Sequence, residues 1–153
     1  MAVYFFDSSA LVKRYAQESG TTWIIQTADP MAAHLLYIAR ITAVEVISAL
    51  TRRQRGGSVS QGDATRVIQE FRYDLSHQYR VVEITAAVIT QAMALAQMHA
   101  LRGYDAVQLA AALVVHHMRS TLELSPMVLV SADRDLNTAA TAEGLSVTNP
   151  NED

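Results

Sequence analysis

Apolar positions follow two rhythms along this chain. Residues 2–6 are an unbroken apolar run, the pattern of a strand covered on both faces. Helical spacing follows over 8–17, and a second short helix follows Gly20. After the break at Pro30, the run 35–41 (LLYIARI) predicts a second strand. Thr42 opens a helix that ends near Arg55 at Gly56-Gly57, since glycine commonly closes helices. A helix over 60–77, a strand over 80–84 and a helix over 85–101 come next. Gly103-Tyr104 introduces another helix to about 120. A fourth strand is predicted at 127–130, a short helix from about 134, and an edge strand at 145–148. Strands alternating with helices predict an α/β sandwich with a mostly parallel sheet. No repeat, low-complexity tract or Pro/Gly-rich linker interrupts the pattern, so residues 1–153 read as a single domain.

Composition narrows the chemistry. Half of the 153 residues are hydrophobic, enough for one proper core. There is no cysteine, which excludes disulfides, thiolate metal sites and a cysteine nucleophile. No apolar run approaches the ~20 residues of a spanning helix, and the N-terminus lacks the pattern of a signal peptide. A soluble, cytoplasmic protein with no membrane partner is the expectation. The net charge of −3 is unusual for a nucleic-acid binder. Yet of the twelve basic residues only Lys13 is a lysine, and arginine forks suit phosphate. Removing four negative charges at the acids described next turns −3 into +1.

Those four acids fall at telling places. Asp7 lies just past the first strand, Glu45 in the first turn of the helix after the second, and Asp133 just past the fourth. Parallel α/β sheets bind ligands beyond the carboxyl ends of their strands. Asp105 starts a helix in which, from 106 to 115, only Gln108 is polar. Such a helix should be buried, and a lone carboxylate there is costly unless paired. Each acid alone has an ordinary reading. Asp7, Ser8, Ser131 and Asp133 suit helix N-caps, Thr42-Ala43-Val44-Glu45 matches a capping box, and acids in first turns gain from the helix dipole. Four at one sheet edge point instead to a hard-cation site for Mg²⁺ or Mn²⁺, with phosphodiester hydrolysis as its chemistry.

Other acid chemistries fit less well. A phosphoaspartate phosphatase wants a second aspartate where Ser9 stands, and a receiver domain wants a late lysine. No phosphate-binding glycine loop and no G-x-S-x-G occur. His116 and His117 read as structural or surface residues, and Trp23 and Tyr37 as core. The densest positive stretch, Arg52-Arg53-Gln54-Arg55, either tracks a nucleic-acid backbone or complements a helix C-terminus.

Four blocks in order carry a resemblance: Asp7-Ser8-Ser9-Ala10-Leu11-Val12-Lys13, Thr42-Ala43-Val44-Glu45-Val46, residues 101–110 (LRGYDAVQLA), and residues 130–136 (VSADRDL). Together they resemble the PIN domain family, and within it the virulence-associated protein C (VapC) toxins. The resemblance covers nearly the whole chain. It implies a three-layer α/β/α fold and RNA cleavage dependent on Mg²⁺ or Mn²⁺. It also implies catalytic roles for Asp7, Glu45, Asp105 and Asp133, with Asp7 and Asp105 holding the metal. Ser9 and Ser131 match supporting positions, and Asp135 competes with Asp133 for the fourth acidic role. A homodimer and a cognate antitoxin are implied as partners. The sequence thus reads as a toxin endoribonuclease. Its rivals are a non-catalytic nucleic-acid-binding PIN protein and an RNA-processing nuclease without an antitoxin.

Overall fold

The computed structural model describes residues 1–152. Five strands, β1 (Val3–Phe6), β2 (Leu35–Ala39), β3 (Arg80–Val82), β4 (Val128–Val130) and β5 (Ser146–Thr148), form one sheet in the order β3-β2-β1-β4-β5. All four pairings are parallel. Chain order reverses at β1: β2 lies on one side and β4 on the other. The helices among the described residues are α1 (Ser8–Tyr15), α2 (Thr21–Ala28), α3 (Arg40–Arg55), α4 (Gln61–His77), α5 (Ala86–His99), α6 (Gly103–Thr121) and α7 (Arg134–Ala142).

Side chains of β1 alternate between two cores, as the period of two in a strand demands. Val3 and Phe5 join a core with Leu109, Leu113 and Leu136, beneath α5, α6 and α7. Phe6 joins Leu11, Ile24, Val46, Leu50 and Phe71, beneath α1 to α4. The result is the three-layer α/β/α sandwich with the sheet in the middle. Trp23 and Tyr37 pack against these cores, as the sequence predicts. Helix α1 is pinned to α4 by polar bonds. Arg14 donates to Gln78 Oε1 at 2.8 Å and to the Tyr79 hydroxyl at 2.6 Å, and the Tyr15 hydroxyl donates to Asp74 at 2.7 Å.

One boundary is corrected. Arg40 and Ile41 are the first residues of α3, whose N-cap is Ala39. The apolar character of Ile41 extends the strand-like run, but its side chain packs in the α5–α6 core from a helix. Thr42 is therefore inside the helix and caps nothing, the capping box does not form, and Glu45 stands in the second turn rather than the first. Among the described residues no helix is long and apolar enough to cross a membrane.

Candidate active site

Asp7 leaves the tip of β1 as the N-cap of α1, where its Oδ1 accepts from the Ala10 amide at 2.9 Å. That capping role and a catalytic one are compatible, since a carboxylate offers several lone pairs. Ser9 Oγ donates to the same oxygen at 2.7 Å, and Ser131 Oγ donates to Oδ2 at 2.7 Å. Both serines also accept backbone amides from the β4–α7 turn, Ala132 at 3.1 Å on Ser9 and Asp133 at 3.0 Å on Ser131. The two hydroxyls thus lock the ends of β1 and β4 together around one carboxylate. Asp133 is the N-cap of α7, its Oδ1 accepting from the Leu136 amide at 3.0 Å.

Asp105 stands in the first turn of α6 and is 4 % exposed. No hydrogen bond reaches its carboxylate from the described residues. Glu45 is held at both oxygens: Ser8 Oγ donates to Oε2 at 3.0 Å and Gln108 Nε2 to Oε1 at 3.1 Å. All four acids line one cleft of about 540 Å³, which also takes in Ser8, Ser9, Arg52, Arg53 and Tyr104. Asp135 is exposed and lies outside the cleft, as does Arg55.

The acids feel one another. Burial pushes the Asp7 carboxyl up to about 6, against the opposing bonds from Ser131, Ser9 and Ala10, and the charge of Asp133 adds to the rise. Burial likewise pushes Asp105 up to about 6, followed by the charges of Asp133 and Asp7; Arg102 offsets only part. The charge of Asp105 is also the first cause of a raised Tyr104 phenol. These are the marks of carboxylates gathered with too little counter-charge to offset their burial.

The donor set suits a hard divalent cation: carboxylate oxygens facing one cleft, no sulfur and no imidazole. Among the described residues no three acidic or imidazole groups stand close enough together to hold a metal ion between them. A cation here would draw on fewer carboxylates at once and keep waters, as Mg²⁺ commonly does.

Several residues here escaped the sequence. Lys13 is buried and binds Glu18 Oε1 at 2.9 Å, while Glu18 Oε2 pairs with Arg53. Arg53 is thereby tied to α1's end of the cleft. Gln108 was visible as the one polar residue of an apolar stretch, but its contact with Glu45 needs α3 and α6 side by side. His116 is half-buried and His117 exposed, away from the cleft.

Fold and site together define an α/β protein that presents carboxylates at the point where a parallel sheet reverses its strand order. The chain belongs to the PIN domain family, whose model matches residues 4–142. It is 34 % identical over 148 residues to Ribonuclease VapC45 of Mycobacterium tuberculosis, covering 96 % of this chain and 95 % of that one. Among solved structures it is similar to VapC20 of Mycobacterium tuberculosis, described as a Sarcin-Ricin loop cleaving toxin, with a TM-score of 0.62, 17 % identity and coverage of 93 % and 95 % of the two chains. It is also similar to a toxin-antitoxin complex from Klebsiella pneumoniae, with a TM-score of 0.59, 19 % identity and coverage of 96 % and 97 %.

Proposed function

We propose that the chain is a single-domain, metal-dependent endoribonuclease, and the toxin half of a toxin–antitoxin pair. The observation that carries this reading is the convergence of Asp7, Glu45, Asp105 and Asp133 on one cleft, with no hydrogen bond to the Asp105 carboxylate among the described residues. Relatives named VapC ribonucleases at 34 % identity support RNA as the substrate, and the occurrence of this fold in a toxin–antitoxin complex supports the antitoxin.

Asp7 and Asp105 would hold Mg²⁺ or Mn²⁺, with Asp133 and Glu45 completing the set. A bound cation supplies Lewis acidity, a clamp on the scissile phosphate and a more acidic water. Asp7 is aimed by the Ser9 and Ser131 hydroxyls, which offset part of the rise that burial causes in its carboxyl. Glu45 is fixed by Ser8 and Gln108, so its carboxylate can orient the attacking water and take its proton. Asp133 has one oxygen on the Leu136 amide and the other available to the cleft. Arg52 at the rim suits the RNA phosphates.

The test is cleavage of total cellular RNA by purified protein with Mg²⁺ or Mn²⁺, with EDTA and with Asp105→Asn. Loss of cutting in both is expected, by a factor of about 10³ or more for one essential group. Cutting that survives both would end the metal mechanism.

A further inference from the structure

Helix α6 from Ala106 to Val115 is apolar except at Gln108, and Gln108 is 1 % exposed. It stands three residues after Asp105, on the same face of the helix. Its Nε2 donates twice, to Thr42 Oγ1 at 2.8 Å and to Glu45 Oε1 at 3.1 Å. Its Oε1 is buried and has no partner among the described residues.

An orphaned buried carbonyl is destabilising, and turning the amide over would trade it for another fault. The turned amide would set its carbonyl oxygen against the Glu45 carboxylate, oxygen to oxygen. The orientation that leaves Oε1 orphaned is the one that gives Glu45 a donor. A leucine or methionine would fill the same apolar space with no unsatisfied atom of its own. The amide is thus a poor choice for the core and a good one for Glu45. Thr42, fully buried in α3 one turn before Glu45, holds the amide from its other side.

We propose that Gln108 is a positioning residue that fixes the Glu45 carboxylate toward the cleft, with Thr42 anchoring its amide. This rests on the nuclease reading for the role of Glu45. Glu45 is then clamped from two helices, by Ser8 of α1 on one oxygen and Gln108 of α6 on the other. The clamp supplies a directional link between the helix bearing Asp105 and the helix bearing Glu45.

The experiment compares four proteins: wild type, Gln108→Met, Glu45→Gln and the double variant. It measures Mn²⁺ affinity by calorimetry, single-turnover cleavage at saturating RNA, RNA affinity and thermal melting. Gln108→Met should melt within a few degrees of wild type, the lost orphan carbonyl offset by the Thr42 hydroxyl left without its donor, bind RNA as tightly, and lose about 10- to 100-fold in metal affinity or cleavage rate, the usual cost of removing a group that orients a ligand. In the Glu45→Gln background the same change should cost nothing further. Equal losses in both backgrounds, or no loss in either readout, would overturn the proposal. If wild type cuts no RNA with any divalent cation, the nuclease reading fails, and the Mn²⁺ isotherms of the four proteins still decide the positioning role. Should Gln108→Met fail to fold, Thr42→Val carries the same comparison, with a smaller loss expected in the same pattern.

Discussion

At the scale of single residues, the acids set stability against pH. An unfolded aspartate titrates near 3.9, whereas Asp7 in the fold is pushed up to about 6. Below pH ~4 both states carry the proton. Between ~4 and ~6 the folded chain keeps a proton that the unfolded chain has released. Stability therefore falls as pH rises through this window, by on the order of 3 kcal/mol for Asp7 alone. Melting of the metal-free protein should accordingly be lower at pH 7.5 than at pH 4.5. Asp7→Asn should flatten that dependence and melt higher at pH 7.5, since asparagine also caps helices. Mg²⁺ should raise the melting temperature of wild type at pH 7.5 and not at pH 4.5. A melting temperature that climbs with pH without metal would show that Asp7 is stabilised as a charge, as a plain cap would be. Asp7, Asp105 and Asp133 were legible in the sequence because each follows a strand or opens a helix, whereas Glu45 was placed near the start of a helix that begins two residues earlier than the sequence suggests. Gln108, Lys13 and Glu18 were not legible, because their partners lie on other elements: Gln108 contacts residues 63 and 66 positions away, and Glu18 reaches Arg53 across 35.

Elements decide which arginines can serve RNA. Helix α3 carries Arg52, Arg53 and Arg55 in its last turn, and successive residues of a helix point in different directions. Arg52 and Arg53 reach the cleft, and Arg55 does not. Arg53 is occupied by Glu18. Arg52→Gln should therefore weaken RNA binding and reduce its salt slope by about 0.7, the share of one phosphate on a single strand. Arg55→Gln should change neither. A salt titration with Asp105→Asn as the uncut background measures both; equal effects from the two substitutions would mean that the RNA path runs past the end of α3 instead. The order of strands and helices was legible from periodicity. The start of α3 was not, because Ala39 caps it without a side-chain signal and Ile41 is as apolar as its strand neighbours.

For the whole molecule, the exposed apolar surface beside the cleft is the prominent feature. Ile41, Val44, Ile84, Ile89, Tyr104 and Val107 line a groove of about 540 Å³ that is apolar almost throughout. Val44 and Tyr104 also line the acidic cleft. A second copy of the chain seated there would cover this surface, the arrangement that the homodimer implied by the family resemblance calls for. Ile89→Asp, on the outer face of α5, should convert a dimer to a monomer in sedimentation equilibrium without lowering the melting temperature by more than a few degrees. A wild type that sediments as a monomer at 100 micromolar would rule the dimer out.

Ser131 donates to Asp7 across 124 positions of chain, and β4 pairs with β1. During synthesis the ribosome delivers Asp7 first and Ser131 only 124 residues later. Until β4 arrives, β1 lacks a neighbour on one side, and Asp7 lacks the hydroxyl that aims its second oxygen. Contacts this distant are slow to close, because the entropy of bringing the ends together comes before the gain. A chain built this way carries its own delay: it has no finished cleft until β4 and Ser131 have been made and have found β1.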